Sequence, residues 1–538
     1  MLSSLLTVFA LATQQTATPA PKADACAPPP GAIAPSLPAK LLEGQGKIDF
    51  KITTKSAEAQ AFFNQGVAQM HSFWAREAER SFLQAAALDP EAAMPHWGIA
   101  MVAAGDYRPG FQLDLVNGVM PKAPKKAAKP QGGASRAVAA AQKAAQLAAV
   151  AGKATDLEKL FIATVVARRD ISQRDANVGY VKALRALLAK HPADVEARTI
   201  LALQVMSGYE LPSHRPRTGT MEAVEILRAV IKDAPEHPGG HHYVIHGWEG
   251  STFAKEAWPS CQRYGELATN IPHGLHMPGH IYAQTGRWAD AVKAFDSAAK
   301  NEVYWMKQDS LSGNGHHGHN VHFLIASYSF QGQFDKAFET AKGLLEYKET
   351  PREIKQVDNF RTAYRQGWFA MMRTLLQHEK WDMILDGKTL PELDRPRERS
   401  WRHWAMAQAH LAKGNRGQAE DEARKMRNAM AYFKGQAKPL AVAKLELDAH
   451  LAGNDEKKIR LLTRAARDER ALRYTEPTSY PRPVLEVLGQ VALKAGKNQV
   501  AERAFRDALE QYPESAGAKA GLRAALQSQN RPVEAGLD

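Results

Sequence analysis

Eleven histidines fall between His237 and His322, in a chain of 538 residues that holds nineteen in all. An even spread would put about three there. Within the window, His242 and His246 stand four apart with Glu249 three further on, His273, His276 and His280 follow at three and four, and His319 and His322 at three. Such spacings keep side chains on one face of a helix. Imidazole nitrogens bind zinc, copper and iron, whereas imidazoles crowded together without a cation repel once protonated. The expected metal ligands are therefore His242, His246, Glu249, His273, His276, His280, His319 and His322, with zinc or copper favoured and iron third. Seven imidazoles exceed the three or four of one zinc site, so either two ions share the space or some rings serve as outer partners and substrate contacts. Taken singly, each ring reads equally as a helix cap or a core histidine bonded to a carbonyl; His316 and His317 are either loop ligands or without a role.

What must position these residues is a repeated pair of helices. Near the C-terminus Leu488, Gly489, Ala492, Gly496, Ala501, Phe505, Ala508 and Pro513 fall at the spacing of the 34-residue tetratricopeptide repeat (TPR). The small residues allow close helix approach, Gly496 forms the turn, Phe505 fills the space between helices and Pro513 ends the second helix. The template fits again at Gly66, Ala78, Phe82, Ala85 and Pro90, and at Tyr282, Gly286, Ala291, Phe295 and Ala298, with weaker copies at Gly332 with Ala337 and Gly414 with Ala419. The expected fold is all-α, a tetratricopeptide-type helical-hairpin solenoid coiled as a right-handed superhelix, whose first helices line the concave face. Aligned on these repeats, the histidines and Glu249 sit on three successive first helices and face one shared space. Pro278 is expected to begin the turn carrying His280, leaving His273 and His276 on a stiff approach. Thr155 to Glu158 reads as a capping box.

Composition bounds the rest. Two cysteines, Cys26 and Cys261, exclude a disulfide framework and a thiolate zinc site. No phosphate loop, nucleophile elbow or nucleotide-binding sheet pattern is present. The net charge of +13 is dispersed along the chain, and its densest run, Lys122 to Lys129, has no aromatic residues for base stacking. Nucleic acid is therefore expected not to be a partner. Residues 1–16 read as a signal peptide-like segment, 17–50 as a Pro/Ala-rich linker, 51–236 as N-terminal repeats with a basic loop at 120–133, 237–345 as the His-rich repeats and 346–538 as C-terminal repeats with a capping helix. A periplasmic or secreted location follows, with no integral membrane segment after the signal. Trp248, Trp258, Trp288 and Trp305 read as core rather than pocket, and Glu476, Tyr480 and Glu486 as residues that solenoid curvature could bring to the far end of the groove.

The segments His237-Pro238-Gly239, His242-Tyr243-Val244-Ile245-His246 with Glu249, His273 to Tyr282 and His319-Asn320-Val321-His322-Phe323 resemble the signatures of a bacterial TPR family with His-rich central repeats, as do Trp97 to Ala100, Trp381-Asp382 and Tyr474 to Pro477. Two positions depart from that pattern: Ala75 stands where a histidine is expected, and Ala104-Gly105-Asp106-Tyr107 replaces a Gly-Pro-Asn run. The resemblance implies the fold and the cluster, not a reaction. Two functions remain: a metalloprotein, enzymatic or not, and a scaffold whose groove binds a peptide or partner protein.

Overall fold

The structure, a computed structural model, describes residues 37–105, 132–170, 176–308, 314–347, 362–432, 438–472, 474–475 and 477–537. The signal-like segment and the basic run at Lys122 to Lys129 lie outside these. Among the described residues every regular element is a helix, apart from one bridge between Tyr209 and Pro216. The chain is a tetratricopeptide-type solenoid of helical hairpins, and none of its described helices is long and apolar enough to cross a membrane.

Helices pack chiefly against their chain neighbours: Ala57–His71 on Ala75–Leu88, Pro272–Gln284 on Trp288–Gln308, Asn314–Phe330 on Phe334–Glu346, Pro396–Ala412 on Arg416–Met430 and Val484–Lys494 on Asn498–Gln511. The turns fall at the expected glycines. Gly286, Gly332, Gly414 and Gly496 have φ between +67° and +80°, a conformation that a Cβ penalises. Close approach depends on glycine too: a Cβ on Gly489 would lie 2.5 Å from the Phe505 ring. The Thr155 capping box forms, with Thr155 N donating to Glu158 Oε2 at 2.6 Å.

Pro278 corrects one expectation. Pro272–Gln284 is a single helix with Pro278 inside it and Pro272 in its first turn, so His273, His276 and His280 share one helix. An interior proline removes one helical hydrogen bond, and packing against neighbours outweighs that loss.

The apolar interior is divided. One large core runs from Ile48 to Ile281 and another from Val321 to Ala518, with a small cluster of Ala291, Phe295, Phe323 and Leu324 between them. Residues 37–50, the described part of the span read as linker, lie against the first body: Gly46 N donates to Leu267 O and Lys47 N to Glu236 O, each at 3.0 Å. The two ends of the chain also meet the middle. Trp74 packs edge-on against Trp305, and Trp288 Nε1 donates to Pro513 O at 2.8 Å.

Glycine substitutions test this packing. Gly489→Ala should destabilise the C-terminal repeats by about 1–3 kcal/mol through overpacking against Phe505. Gly343→Ala, exposed in a helix with nothing within 4 Å of its Cβ, should stabilise by about 0.5–1 kcal/mol. Urea unfolding of both variants measures the difference, and equal shifts would contradict the packing described.

Candidate metal centre

Three helices, Pro238–Trp248, Pro272–Gln284 and Asn314–Phe330, bring their histidines to the seam between the two cores. The first group is closed off rather than set in an open groove: His242 is 0% exposed and His246 and His273 no more than 6%; in the second group His276 is buried while His316 and His319 are part-exposed. Two groups of three rings result. His242, His246 and His273 each offer a donor atom within 4.8 Å of the others, and so do His276, His316 and His319. His273 joins the groups, its ring centroid 6.1 Å from His276 and 5.5 Å from His316.

For His242 and His246 in the first group and His276 and His316 in the second, one ring nitrogen meets an acceptor. His242 Nδ1 donates to the carbonyl of His71 at 2.5 Å and His246 Nδ1 to Glu249 Oε2 at 2.8 Å. His276 Nδ1 donates to Asn320 Oδ1 at 2.7 Å, and His316 Nδ1 bonds Glu302, which also accepts from His317 Nδ1 at 3.0 Å. Asn320 is fixed in this orientation because its Nδ2 donates to Phe295 O at 2.9 Å and to Glu302 Oε2 at 3.3 Å. A proton on Nδ1 leaves Nε2 as the lone-pair nitrogen, the arrangement in which an outer acceptor sets the tautomer of a metal ligand. His280 follows the rule, donating from Nδ1 to Glu249 Oε1 at 2.8 Å while its Nε2 lies 2.6 Å from His276 Nε2. Two lone pairs that close repel, so a proton or a metal cation belongs beside them.

A third trio fails the same test. His71, Glu196 and His237 also offer three close donor atoms. Here, however, His237 Nδ1 accepts the N–H of Gly240 at 3.2 Å as a helix cap. Its proton must sit on Nε2, which donates to Glu196 Oε1 at 3.0 Å, so that nitrogen has no lone pair for a metal. His71 Nε2 takes the other carboxylate oxygen at 2.7 Å and its Nδ1 bonds the Tyr243 hydroxyl at 3.0 Å. This trio is a buried hydrogen-bond network that fixes the His71 carbonyl against His242. Gly239 makes room for it, since a Cβ there would lie 2.8 Å from the His71 ring.

Aromatic walls enclose both groups. Phe73, in the turn between the first two helices, stacks on His246 at 5.2 Å and His273 at 5.6 Å and meets His242 edge-on at 4.6 Å. It holds this place with φ +53°, a left-handed conformation that costs on the order of 1 kcal/mol in a residue with a Cβ. Phe323 packs on His276, His280 and His319.

Of the residues expected from sequence, the structure gathers His242, His246, His273, His276, His280 and His319, and adds His316. Glu249 stands behind the rings, each of its oxygens bonded to an imidazole. His322 turns away, its Nδ1 donating to Gln366 Oε1 at 2.8 Å. Sequence reasoning missed His71, Phe73, Glu196, Glu302 and Asn320; Ala75, where a histidine is expected, begins the second helix. Tyr480 belongs to the C-terminal core, bonded to Glu446, and Glu486 to Ser515 at 2.6 Å, neither at the histidines. Glu476 lies outside the described residues. Trp248 is 2%, Trp288 7% and Trp305 9% exposed, in keeping with core packing.

Burial sets the protonation of the innermost ring. It pushes the pKa of His276 well below its ordinary value, and the neighbouring His280, His316 and His319 push the same way. Burial would raise the Glu249 carboxyl, but His280 and His246 outweigh it and hold it well below the usual range; His316 and His317 do the same for Glu302. His276 is thus neutral and both carboxylates are charged near pH 7.

No protein-family model matches the chain, and no curated protein matches it. Solved structures do: a human IFIT1 dimer with m7Gppp-AAAA (11% identity, TM-score 0.32, 89% of this chain and 91% of that one) and a human IFIT1 dimer with PPP-AAAA (12%, 0.30, 88% and 91%). A monomeric IFIT1 mutant with Gppp-AAAA matches at 12% identity and TM-score 0.32 over 88% and 91%. The expectation that nucleic acid is no partner is corrected by these: chains similar in helical architecture are held there with capped or triphosphate RNA. Charge dispersed along a sequence does not exclude RNA, because a solenoid collects distant residues onto one surface. At this level of likeness no ligand passes to the present chain.

The buried histidines predict a pH dependence. Burial pushes His322 down to about 3 from an ordinary 6.5, so over that interval only the unfolded chain binds the proton. Stability from this ring is full above about pH 6.5 and is lost as the pH falls toward its folded value, by about 2 kcal/mol at pH 5. Chemical denaturation of the chelator-treated chain at pH 7 and pH 5 should show the fall, and His322→Gln should remove that share. An unchanged slope in the variant would refute the assignment.

Proposed function

We propose that this helical-repeat protein binds two transition-metal ions in its interior, one on His242, His246 and His273 and the other on His276, His316 and His319, with His280 beside the second. The observation that carries this reading is the placement of hydrogen-bond acceptors behind the rings: His71 O, Glu249, Asn320 and Glu302 each take an Nδ1 proton and leave Nε2 lone pairs converging. All-imidazole donors favour copper or zinc, with iron third. The central His-rich repeats of the bacterial family that the sequence resembles fit the same role. In this reading the N-terminal segment exports the chain, which adds weight to copper.

Element analysis of tag-free protein, reconstituted separately with copper, zinc and iron, should give two ions per chain with at least one metal. His242→Gln with His246→Gln should remove one, and His276→Gln with His280→Gln the other. Glu196→Gln, in the network whose histidine caps a helix, should leave the metal content at two while lowering stability by about 1–3 kcal/mol. Substoichiometric metal in every reconstitution would sink the reading and leave the scaffold that binds a peptide or partner protein.

A further inference from the structure

The two groups of rings share one carboxylate. Glu249 Oε2 accepts from His246, in the first group, and Oε1 from His280, beside the second, both at 2.8 Å. Its backbone is clamped as well. Glu249 ends the Pro238–Trp248 helix with its N–H bonded to Ile245 O at 2.9 Å. The next two residues are gripped by Gln284 of the neighbouring helix, which accepts from Gly250 N at 3.0 Å and donates to Ser251 O at 2.9 Å. Gly250 is held at φ +76°, where a Cβ would lie 2.6 Å from the Tyr209 ring and 2.9 Å from that of Tyr474.

From this arrangement we infer that Glu249 is a positioning residue that couples the two metal sites, so that they load together. The inference rests on the two-ion reading above. An ion on the first trio fixes the His246 ring, and the hydrogen bond from that ring fixes the carboxylate. The carboxylate in turn fixes His280, whose Nε2 stands 2.6 Å from His276 Nε2, so that an ion at the second site lies beside both rings. The second ion then meets ligands already ordered and loses less conformational entropy on binding. Charge alone would oppose joint loading, and the carboxylate lessens that opposition. Two cations at adjacent sites repel, and an anionic carboxylate bonded to ligands of both offsets that repulsion. Glu302 has no such role, because both of its imidazoles, His316 and His317, come from one helix.

The test uses the full-length, tag-free chain stripped by a chelator and titrated with Co(II), whose visible bands report nitrogen coordination. The wild type should take up two equivalents in one steep step with a Hill coefficient above 1. Glu249→Gln offers one acceptor oxygen and turns an NH2 toward the other ring, so its two ions should bind in separate steps, the weaker by about 10–100-fold. Glu249→Asp, too short to reach both rings, should also separate the steps; it decides the matter if the glutamine variant does not fold, as judged by its helical spectrum. Two independent steps in the wild type, uptake of a single equivalent, or a steep step that survives in the Glu249 variants would overturn the coupling. A wild type that takes up no Co(II), zinc or copper fails at the earlier stage and sinks the two-ion reading itself.

Discussion

Burying an imidazole commits both of its ring nitrogens, and the rest of this molecule is arranged around that constraint. A neutral ring has one donor and one acceptor, and away from water each must meet its complement or cost on the order of 1–3 kcal/mol. For six rings of the histidine cluster, His242, His246, His276, His280, His316 and His317, the donor halves are met by fixed acceptors: a main-chain carbonyl, a carboxamide and two carboxylates. Each acceptor comes from a different part of the chain. The demand of a few rings therefore fixes how several helices sit against one another.

The same constraint explains why the interior is split. An apolar core cannot run through a set of imidazoles without leaving their nitrogens unmet, so the first large core ends at Ile281, the second begins at Val321, and only a small apolar cluster lies between. Phenylalanines fill the transition, since an aromatic face tolerates an imidazole edge or face at ring distances of 4.6–5.6 Å. The seam is thus polar at its centre and aromatic at its walls.

Much of this was legible in the chain itself, and the limits have a physical reason. The turn glycines at 286, 332, 414 and 496 and the close-packed Gly489 announced the hairpins, because their requirements are local. The three- and four-residue histidine spacings announced a shared face for the same reason. What lay behind that face was not legible. Glu302 and Asn320 carry no mark of facing one another across two helices, and Glu196 reads as an ordinary helix-surface acid. His322 shows how far spacing alone can mislead, for three residues past His319 the helix has turned just far enough to hand the ring to Gln366. Pro278 read as a boundary because proline usually is one; the contacts of its helix on both sides decided otherwise.

The hydrogen bond between His71 and Tyr243 spans 172 residues, in a fold whose other contacts are mostly between sequence neighbours. During synthesis the first hairpin can form early, but its buried histidine has no hydroxyl to meet, and Glu196 no second imidazole, until the Pro238–Trp248 helix emerges. The first repeats therefore wait for the centre of the chain. A chain that ends before His237 leaves Glu196 and His71 without the partners that cover them in the finished fold.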